Sequence, residues 1–454
     1  MRLEGLAFCC ALALIPAAAL AQAAGSSTPA NSEVGEVSQI AATQYAALHA
    51  QVTFVMQAHP RFHSPYRGAN SLDPATHAAE TADLTVFLGV RPWAGAELWL
   101  NSEIDQGFGL SNTLGAAGFP SGEAYKVGAK TPYHRLQRFF FRQTFGLGGA
   151  QQQIDADLNQ LAGTRAADRL VFTLGKFSVG DVFDTNKYAH DPRADFLNWT
   201  VIDTGTFDYA ADAWGYSAGS TIELYRGRYA ARVGAFLLSD VPNSSDLDTR
   251  FGQYQIIGEL EMVHRLHGHP GKIKLTGFVT HGRMGRFDDA VRFGVTTGQA
   301  PDVSGVRRFA DRSGIGLNLE QELASDLGLF VRAGIADGRY ESYEFTDVDR
   351  TLAAGVSLGG KRWGRPSDTV GLAGVLNAAS RHRRDYLAAG GLGILIGDGA
   401  LPHPGDEHIL EAYYDAGIAR GAHLALDAQV IDSPGYNRDR GPVPVLAVRV
   451  HGQY

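Results

Sequence analysis

The chain has 454 residues, a formal net charge of −8, 55 glycines and 2 cysteines. The negative balance argues against nucleic acid as a partner. Beyond the first 21 residues no stretch of about 20 apolar residues occurs, so the sequence predicts no transmembrane helix.

The start of the chain has the pattern of a secretory signal peptide. Arg2 precedes an apolar run at residues 6–15, and Ala19-Leu20-Ala21 fits a cleavage site of small residues. We therefore predict that residues 1–21 are a signal peptide. Both cysteines lie inside it, so the mature chain should contain no disulfide, metal–thiolate site or cysteine nucleophile.

The next segment, residues 22–48, is predicted to lie on the periplasmic side of a membrane. Its first part, residues 22–32, is polar and rich in small residues and is expected to be disordered. Residues 33–48 fit a short helix. The remainder, residues 49–454, carries strand patterns throughout and is predicted to be one barrel domain.

Alternation of apolar and polar residues predicts sixteen strands, each about as long as a tilted membrane strand. The predicted strands cover residues 51–57, 83–90, 97–103, 138–145, 170–177, 215–225, 228–238, 253–266, 272–281, 313–322, 327–335, 351–359, 369–377, 408–418, 423–431 and 443–454. The connections between them alternate between short and long. Outer-membrane barrels have short periplasmic turns and long outer loops, so this alternation predicts the orientation of the chain.

Two connections have unusual sequences. Residues 147–167 form a long connection on the predicted periplasmic side, and Gln151–Leu161 within it has a helical pattern. Arg384–Ile396 is assigned to an outer loop as a helix packed into the barrel mouth, because a seventeenth strand there would leave an odd number. Its glycines are a weak nucleotide-binding signal without a flanking strand and helix.

The last strand shows the alternation most clearly. Leu446, Val448, Val450 and Tyr454 share one face, and the opposite face includes Arg449. An apolar face, a polar face and a terminal aromatic residue are typical of the closing strand of an outer-membrane barrel. The alternative is an edge strand of a soluble sheet. Taken with the other strands, the pattern predicts an all-β fold, a transmembrane antiparallel β-barrel of about sixteen strands.

Several segments together resemble the OprB-type family of carbohydrate-selective porins, from about Val52 to the end of the chain. These segments are residues 68–72, 143–149, 191–199, 283–289, 363–374 and 437–443. The resemblance implies a sixteen-stranded barrel in the outer membrane of a Gram-negative bacterium, through which sugars diffuse. Two features depart from the family: Tyr454 stands where phenylalanine is commoner, and the loops, which set selectivity, match less well than the strands. The preferred sugar therefore cannot be carried over.

Candidate sugar contacts on the barrel wall follow from strand parity. Glu97, Trp99, Asn101 and Glu103 share one face of a strand and supply acceptors, an amide and an aromatic ring. Arg138 and Arg142 share a face of the next strand, and either would cost about 2–4 kcal/mol near the membrane midplane if it faced lipid. Both are therefore predicted to face the lumen. The alternative is that these arginines pair with Glu97 or Glu103 and only hold the wall.

The longest predicted loop, residues 179–214, supplies the other candidates, Asp191, Arg193 and Trp199. Carboxylates, a guanidinium and an indole suit a loop that folds inward as a constriction. The alternative is a surface loop that contacts lipopolysaccharide or calcium.

No constellation typical of an enzyme is found. His264, His267 and His269 cross a tight turn with loose spacing for a metal, and no Gly-x-Ser-x-Gly elbow occurs. We predict no catalytic residue, cofactor or metal site. A porin for small carbohydrates is favoured over a barrel that exports an anionic polysaccharide, which would need a strongly basic lumen. A general ion-permeable porin without sugar preference is a further alternative.

The expected partners besides sugars are outer-membrane lipids, lipopolysaccharide and the barrel-assembly machinery. The sequence does not distinguish a monomer from a homotrimer.

Overall fold

The structure is a computed structural model that describes residues 43–454. The predicted signal peptide and almost all of the predicted segment 22–48 lie outside these residues. Residues 43–45 are irregular and Ala46–His59 is already a strand, so the helix predicted for residues 33–48 is wrong over its last six residues. Residues 46–48 pair with the neighbouring strand, where Leu48 lies opposite Leu88.

The described residues form sixteen strands and three short α-helices. The strands are β1 Ala46–His59, β2 His77–Val90, β3 Ala96–Gly107, β4 Ala129–Ile154, β5 Gly163–Phe177, β6 Ser217–Arg226, β7 Tyr229–Leu237, β8 Tyr254–Leu266, β9 His269–Met284, β10 Arg308–Ala324, β11 Leu327–Ala336, β12 Arg350–Gly359, β13 Thr369–Ala378, β14 Glu407–Ala419, β15 Ala422–Asp432 and β16 Val443–Gln453. The helices are α1 Trp199–Ile202, α2 Phe287–Thr297 and α3 Arg381–Ala388. None of the helices within residues 43–454 has the length and apolarity that a membrane crossing requires.

The strands close into a barrel in which each strand pairs with its neighbours in the sequence and β1 pairs with β16. All of the ladders are antiparallel, and the closing one places Phe54 opposite Val450. Tyr454 and Ala50 exchange backbone hydrogen bonds of 2.9 and 3.1 Å at the end of this seam. The prediction of a closed antiparallel barrel of sixteen strands is confirmed.

The two faces of the strands differ as the alternation predicts. In β16 the side chains of Leu446 and Val450 are exposed, whereas Val445, Ala447 and Arg449 are buried. Apolar residues thus form the outer surface, where lipid can cover them, and the inward face combines small apolar residues with polar ones such as Arg449. Both chain ends of the barrel lie at the end with the short turns, and the long loops gather at the opposite end.

The hairpin between β4 and β5 corrects one prediction. Gln151–Leu161 is not a helix, because β4 continues to Ile154 and pairs with β5. Gly148 and Gly149 have φ values of +123° and +78°, which let the strand bend without losing its partner. Pairing with β5 therefore overrides the local helical pattern. The tip of this hairpin, residues 155–162, lies at the short-turn end.

The outer loop between β13 and β14 agrees in part with its prediction. α3 begins after Ser380, whose side chain accepts a hydrogen bond from the Arg383 amide, and ends at Ala388. Residues 389–396 are irregular, so the predicted helix covers only the first half of Arg384–Ile396. Gly390 has a φ of +92°, a left-handed conformation that ends the helix.

Candidate functional site

The long loop between β5 and β6, residues 178–216, lies inside the barrel; we call it the inner loop. The Leu197 amide donates a 2.5 Å hydrogen bond to Glu411 of β14. Arg332 of β11 donates a 2.7 Å hydrogen bond to the Val201 carbonyl. Because it is bonded to the inner faces of separate strands, the inner loop crosses the lumen and narrows it.

Asp208 joins the inner loop to the loop between β11 and β12. Its carboxylate accepts hydrogen bonds from the amides of Tyr343 and Glu344 at 2.6 and 2.9 Å. Arg312 of β10 donates another at 2.9 Å, and both partners of this ion pair are fully buried. Asp208 therefore fixes one side of the narrowing to the barrel wall.

A cavity of about 250 Å³ lies beside the inner loop; we call it the central cavity. Four of the predicted site residues line it, namely Arg138, Asp191, Arg193 and Trp199. Arg138 comes from the wall, and the other three come from the inner loop. The structure thus brings together residues that are as far as 61 positions apart in the sequence.

Arg138 forms a two-point ion pair in the central cavity. Its Nε and Nη2 donate hydrogen bonds of 2.7 and 2.6 Å to the two carboxylate oxygens of Asp181. Its guanidinium also lies 4.9 Å from the centre of the Tyr216 ring. The partner of Arg138 is therefore the inner loop and not the wall carboxylates Glu97 and Glu103.

Arg193 is surrounded by acidic side chains. Its guanidinium nitrogens lie 3.4 Å from Glu123, 3.7 Å from Asp83 and 4.0 Å from Glu103. Burial opposes the ionisation of Asp191, but the charge of Arg193, the hydrogen bond from the Arg193 amide and two nearby histidines together hold the pKa of Asp191 below its usual value. Burial raises the pKa of Glu123 well above its usual value, although Arg193 acts in the opposite direction.

Trp199 packs inside an aromatic cluster. Asn198 caps α1 by accepting a hydrogen bond from the Thr200 amide, and this directs Trp199 towards Phe119. The two rings are stacked, with centroids 5.3 Å apart. Tyr209 and Phe345 contact Trp199 at centroid distances of 5.7 Å. Trp199 is therefore buried, and its ring offers little surface to a solute in the central cavity.

The four candidates on β3 lie outside the central cavity. Trp99 is fully buried, its Nε1 donates to Glu97 at 3.1 Å, and its ring fills the space over Gly89. It therefore presents no ring face to a solute here. Glu103 is buried behind Arg193 and accepts hydrogen bonds from Thr85, Tyr125 and Gln137. The buried amide of Asn101 has no hydrogen-bond partner among the described residues.

Arg142 and Glu97 form an ion pair at the short-turn end. Arg142 also donates a 2.6 Å hydrogen bond to the Asn159 carbonyl at the tip of the β4–β5 hairpin. Both side chains line a second cavity of about 570 Å³. The predicted wall residues are therefore divided between two places in the lumen.

Sequence reasoning missed the contribution of the loop between β3 and β4, residues 108–128. Glu123 and Tyr125 of this loop line the central cavity, and so do Trp214 and Tyr216 beside β6. The signal in the sequence was small, because this loop contains one carboxylate, Glu123, two positions before the aromatic Tyr125. Its path into the lumen depends on long-range contacts, such as the 2.7 Å hydrogen bond that the Gly118 amide donates to the Glu407 carboxylate.

Comparison with known proteins identifies the family. A family model described as carbohydrate-selective porin, OprB family, matches residues 69–454. The chain belongs to the OprB family. No curated protein sequence matches the chain. Membership confirms the resemblance and the outer-membrane location, and it indicates a channel rather than an enzyme.

Three solved structures are similar to this OprB-family barrel, and the first of them supports its fold. The high-pH structure of Pseudomonas putida OprB is 15% identical, with a TM-score of 0.67, over 90% of this chain and 94% of that one. The outer-membrane channel DcaP of Acinetobacter baumannii is 9% identical, with a TM-score of 0.45, over 90% and 97%. Pseudomonas aeruginosa OccK8 (OprE) is 9% identical, with a TM-score of 0.45, over 90% and 98%.

Asp203 of the inner loop gives the OprB-family channel a pH-dependent charge. Burial and then the nearby charge of Asp184 raise the pKa of Asp203 to about 8. His190 lies 3.7 Å away, and burial followed by the charge of Arg332 lowers its pKa. Both groups are therefore uncharged near pH 7.

We predict that cation preference rises as the pH increases from 6 to 9. An acid with a pKa of about 8 is neutral below that pH and negative above it, so Asp203 gains a charge in the lumen. The reversal potential in a salt gradient across a planar bilayer measures this preference. Asp203→Asn should remove part of the rise, whereas Asp246→Asn at an exposed outer loop should keep all of it. An equal rise in Asp203→Asn would exclude this residue as the source.

Proposed function

We propose that this OprB-family porin conducts small carbohydrates into the periplasm by passive, sugar-preferring diffusion. The observation that carries the proposal is the composition of the central cavity. Arg138 and Asp181 offer charged hydrogen-bonding groups for hydroxyls, and the partly exposed ring of Trp214 supplies aromatic surface beside them. Sugar rings present both hydroxyl edges and apolar faces, so this combination suits them.

The charges in the central cavity favour neutral solutes over an acidic polymer. Arg138 is paired with Asp181, and Arg193 lies among three carboxylates. An exporter of anionic polysaccharide would need a uniformly basic path, and a mixed path favours uncharged, hydroxylated molecules. Weak contacts of this kind also allow a solute to leave, as conduction requires.

Arg138 provides the test of the sugar contact. Arg138→Ala should raise single-channel conductance or alter ion preference, because it removes a bulky cation and leaves Asp181 unpaired. A monosaccharide such as glucose should block the current roughly tenfold less strongly, since a charged hydrogen bond contributes about 1.5–3 kcal/mol. The measurement is the ionic current of single channels at increasing glucose concentration.

Arg381→Ala is the matched control for this experiment, because Arg381 is largely exposed on α3. It should conduct and respond to glucose like the unaltered protein. If Arg138→Ala folds and keeps the original conductance and glucose block, the sugar contact lies elsewhere in the lumen. The Asp191–Trp199 part of the inner loop would then be the next candidate.

The expected partners extend this proposal. We propose that lipids and lipopolysaccharide cover the apolar outer face and that the barrel-assembly machinery recognises Tyr454, which is 75% exposed at the end of β16. Deletion of Tyr454 should lower the amount of folded barrel in the membrane.

The mass of the detergent-solubilised protein distinguishes a monomer from the homotrimer.

A further inference from the structure

The cavity of about 570 Å³ at the short-turn end is rich in arginine; we call it the arginine cavity. Arg91, Arg142, Arg165 and Arg169 line it. The tip of the β4–β5 hairpin closes one side of the cavity. There Arg91 donates hydrogen bonds to the backbone carbonyls of Leu161 and Ala162. The cavity therefore has a fixed shape and a concentrated positive charge.

The carboxylates on its walls are already bound by other cations. Glu97 accepts from Arg91 at 3.2 Å and also from Arg142. Asp181 is held by Arg138, and Glu223 lies 3.3 Å from Arg232 of β7. These acids are therefore not available to neutralise the two remaining arginines of the cavity.

Arg165 and Arg169 keep unused hydrogen-bond donors. Neither has a carboxylate partner within the described part of the chain, and the Nε atom of each is buried without a hydrogen-bond acceptor. Arg169 is only 7% exposed, and its guanidinium lies 3.7 Å from the centre of the Tyr225 ring. Buried guanidinium groups without a counter-charge are costly, and the planar fork matches a carboxylate or phosphate.

The arginine cavity adjoins the central cavity. Asp181 lines both of them, so the two cavities meet at this side chain, and the arginine cavity lies on the side of the short-turn end. This end is periplasmic in outer-membrane barrels.

We propose that Arg165 and Arg169 form a binding site for the anionic group of a small acidic sugar, a carboxylate or a phosphate. The site rests on the proposed function to the extent that the sugar arrives through the pore. It adds a second class of solute, because the central cavity suits neutral sugars and the arginine cavity suits singly charged ones.

The experiment compares the block of single-channel current by glucuronate, glucose and inorganic phosphate, each added on the periplasmic side. Glucuronate should block the unaltered channel, and the block should weaken roughly tenfold in the double variant Arg165→Gln/Arg169→Gln. The glucose block should not change. The single variants Arg165→Gln and Arg169→Gln should each show part of the loss, which keeps the test valid if the double variant assembles poorly.

Arg420→Gln is the matched control, because Arg420 lies on a periplasmic turn beside a different cavity of about 1100 Å³. An unchanged glucuronate block in the double variant, or an equal loss in Arg420→Gln, would overturn the proposal. Arginine-dependent block by phosphate as strong as by glucuronate supports the site and shows that the anion alone is recognised. Arginine-dependent glucuronate block without any glucose block would refute the sugar preference of the central cavity and leave this site standing.

Discussion

Replacing Arg193 with glutamine should strongly increase cation preference and remove most of the monosaccharide block. Arg193 lies within 4.0 Å of Asp83, Glu103 and Glu123, and its guanidinium is the common ion-pair partner of all three carboxylates. Without it, three buried carboxylates face one another beside the central cavity. Breaking a buried ion pair costs about 3–5 kcal/mol, so part of the inner loop should also move. Reversal potential and glucose block in planar bilayers measure both effects.

Two further variants separate charge from shape at this position. Arg193→Lys restores the charge but not the planar fork, so ion preference should recover while the glucose block stays weak. Arg250→Gln, on an exposed outer loop, should behave like the unaltered channel. If Arg193→Gln assembles and keeps the original ion preference, the three carboxylates do not line the conducting path.

Replacing Asp208 with asparagine should destabilise the inner loop more than the barrel. The change leaves the fully buried Arg312 without its 2.9 Å counter-charge, at a cost of about 3–5 kcal/mol. It also weakens the bonds to the amides of Tyr343 and Glu344. Single channels should become noisier and conduct more, because the narrowing is no longer fixed to the wall.

Current recordings and thermal unfolding in detergent measure these two outcomes. The hydrogen bonds between strands are not changed by this substitution. The unboiled, folded barrel should therefore still migrate differently from the boiled protein on detergent gels. Asp246→Asn, on an exposed outer loop, is the control. Quiet channels of original conductance in Asp208→Asn would mean that this anchor does not hold the inner loop.

The barrel could be predicted from the sequence because strand parity is a local property. The alternation of residues such as Leu446 and Arg449 within one strand shows which of them faces lipid and which faces the lumen. A charged residue that faced lipid would destabilise the barrel, so the alternation is strict. The pattern at Gln151–Leu161 misled because it has the helical period, whereas the pairing of Gln153 with Thr164 is a property of two strands. Local periodicity cannot show such a partner.

Less of the candidate site than of the barrel could be predicted from the sequence. Parity indicates that Arg138 faces inward, but its partner Asp181 lies on a loop whose path depends on long-range bonds such as Leu197 to Glu411. The burial of Trp99 depends on Gly89 across the ladder, which is known only once the register is known. Arg165 and Arg169 preceded the predicted start of their strand, so the arginine cavity had no sequence signal.

Sugar flux into protein-containing vesicles tests the central claim most directly. Vesicles that carry the purified barrel are transferred to isotonic solutions of a monosaccharide or of an uncharged non-sugar solute of similar mass, and the swelling rate is recorded. We predict that the monosaccharide enters faster, at a rate proportional to its gradient and without an energy source. Equal rates for both solutes, or no swelling beyond that of protein-free vesicles, would contradict a sugar-preferring passive pore.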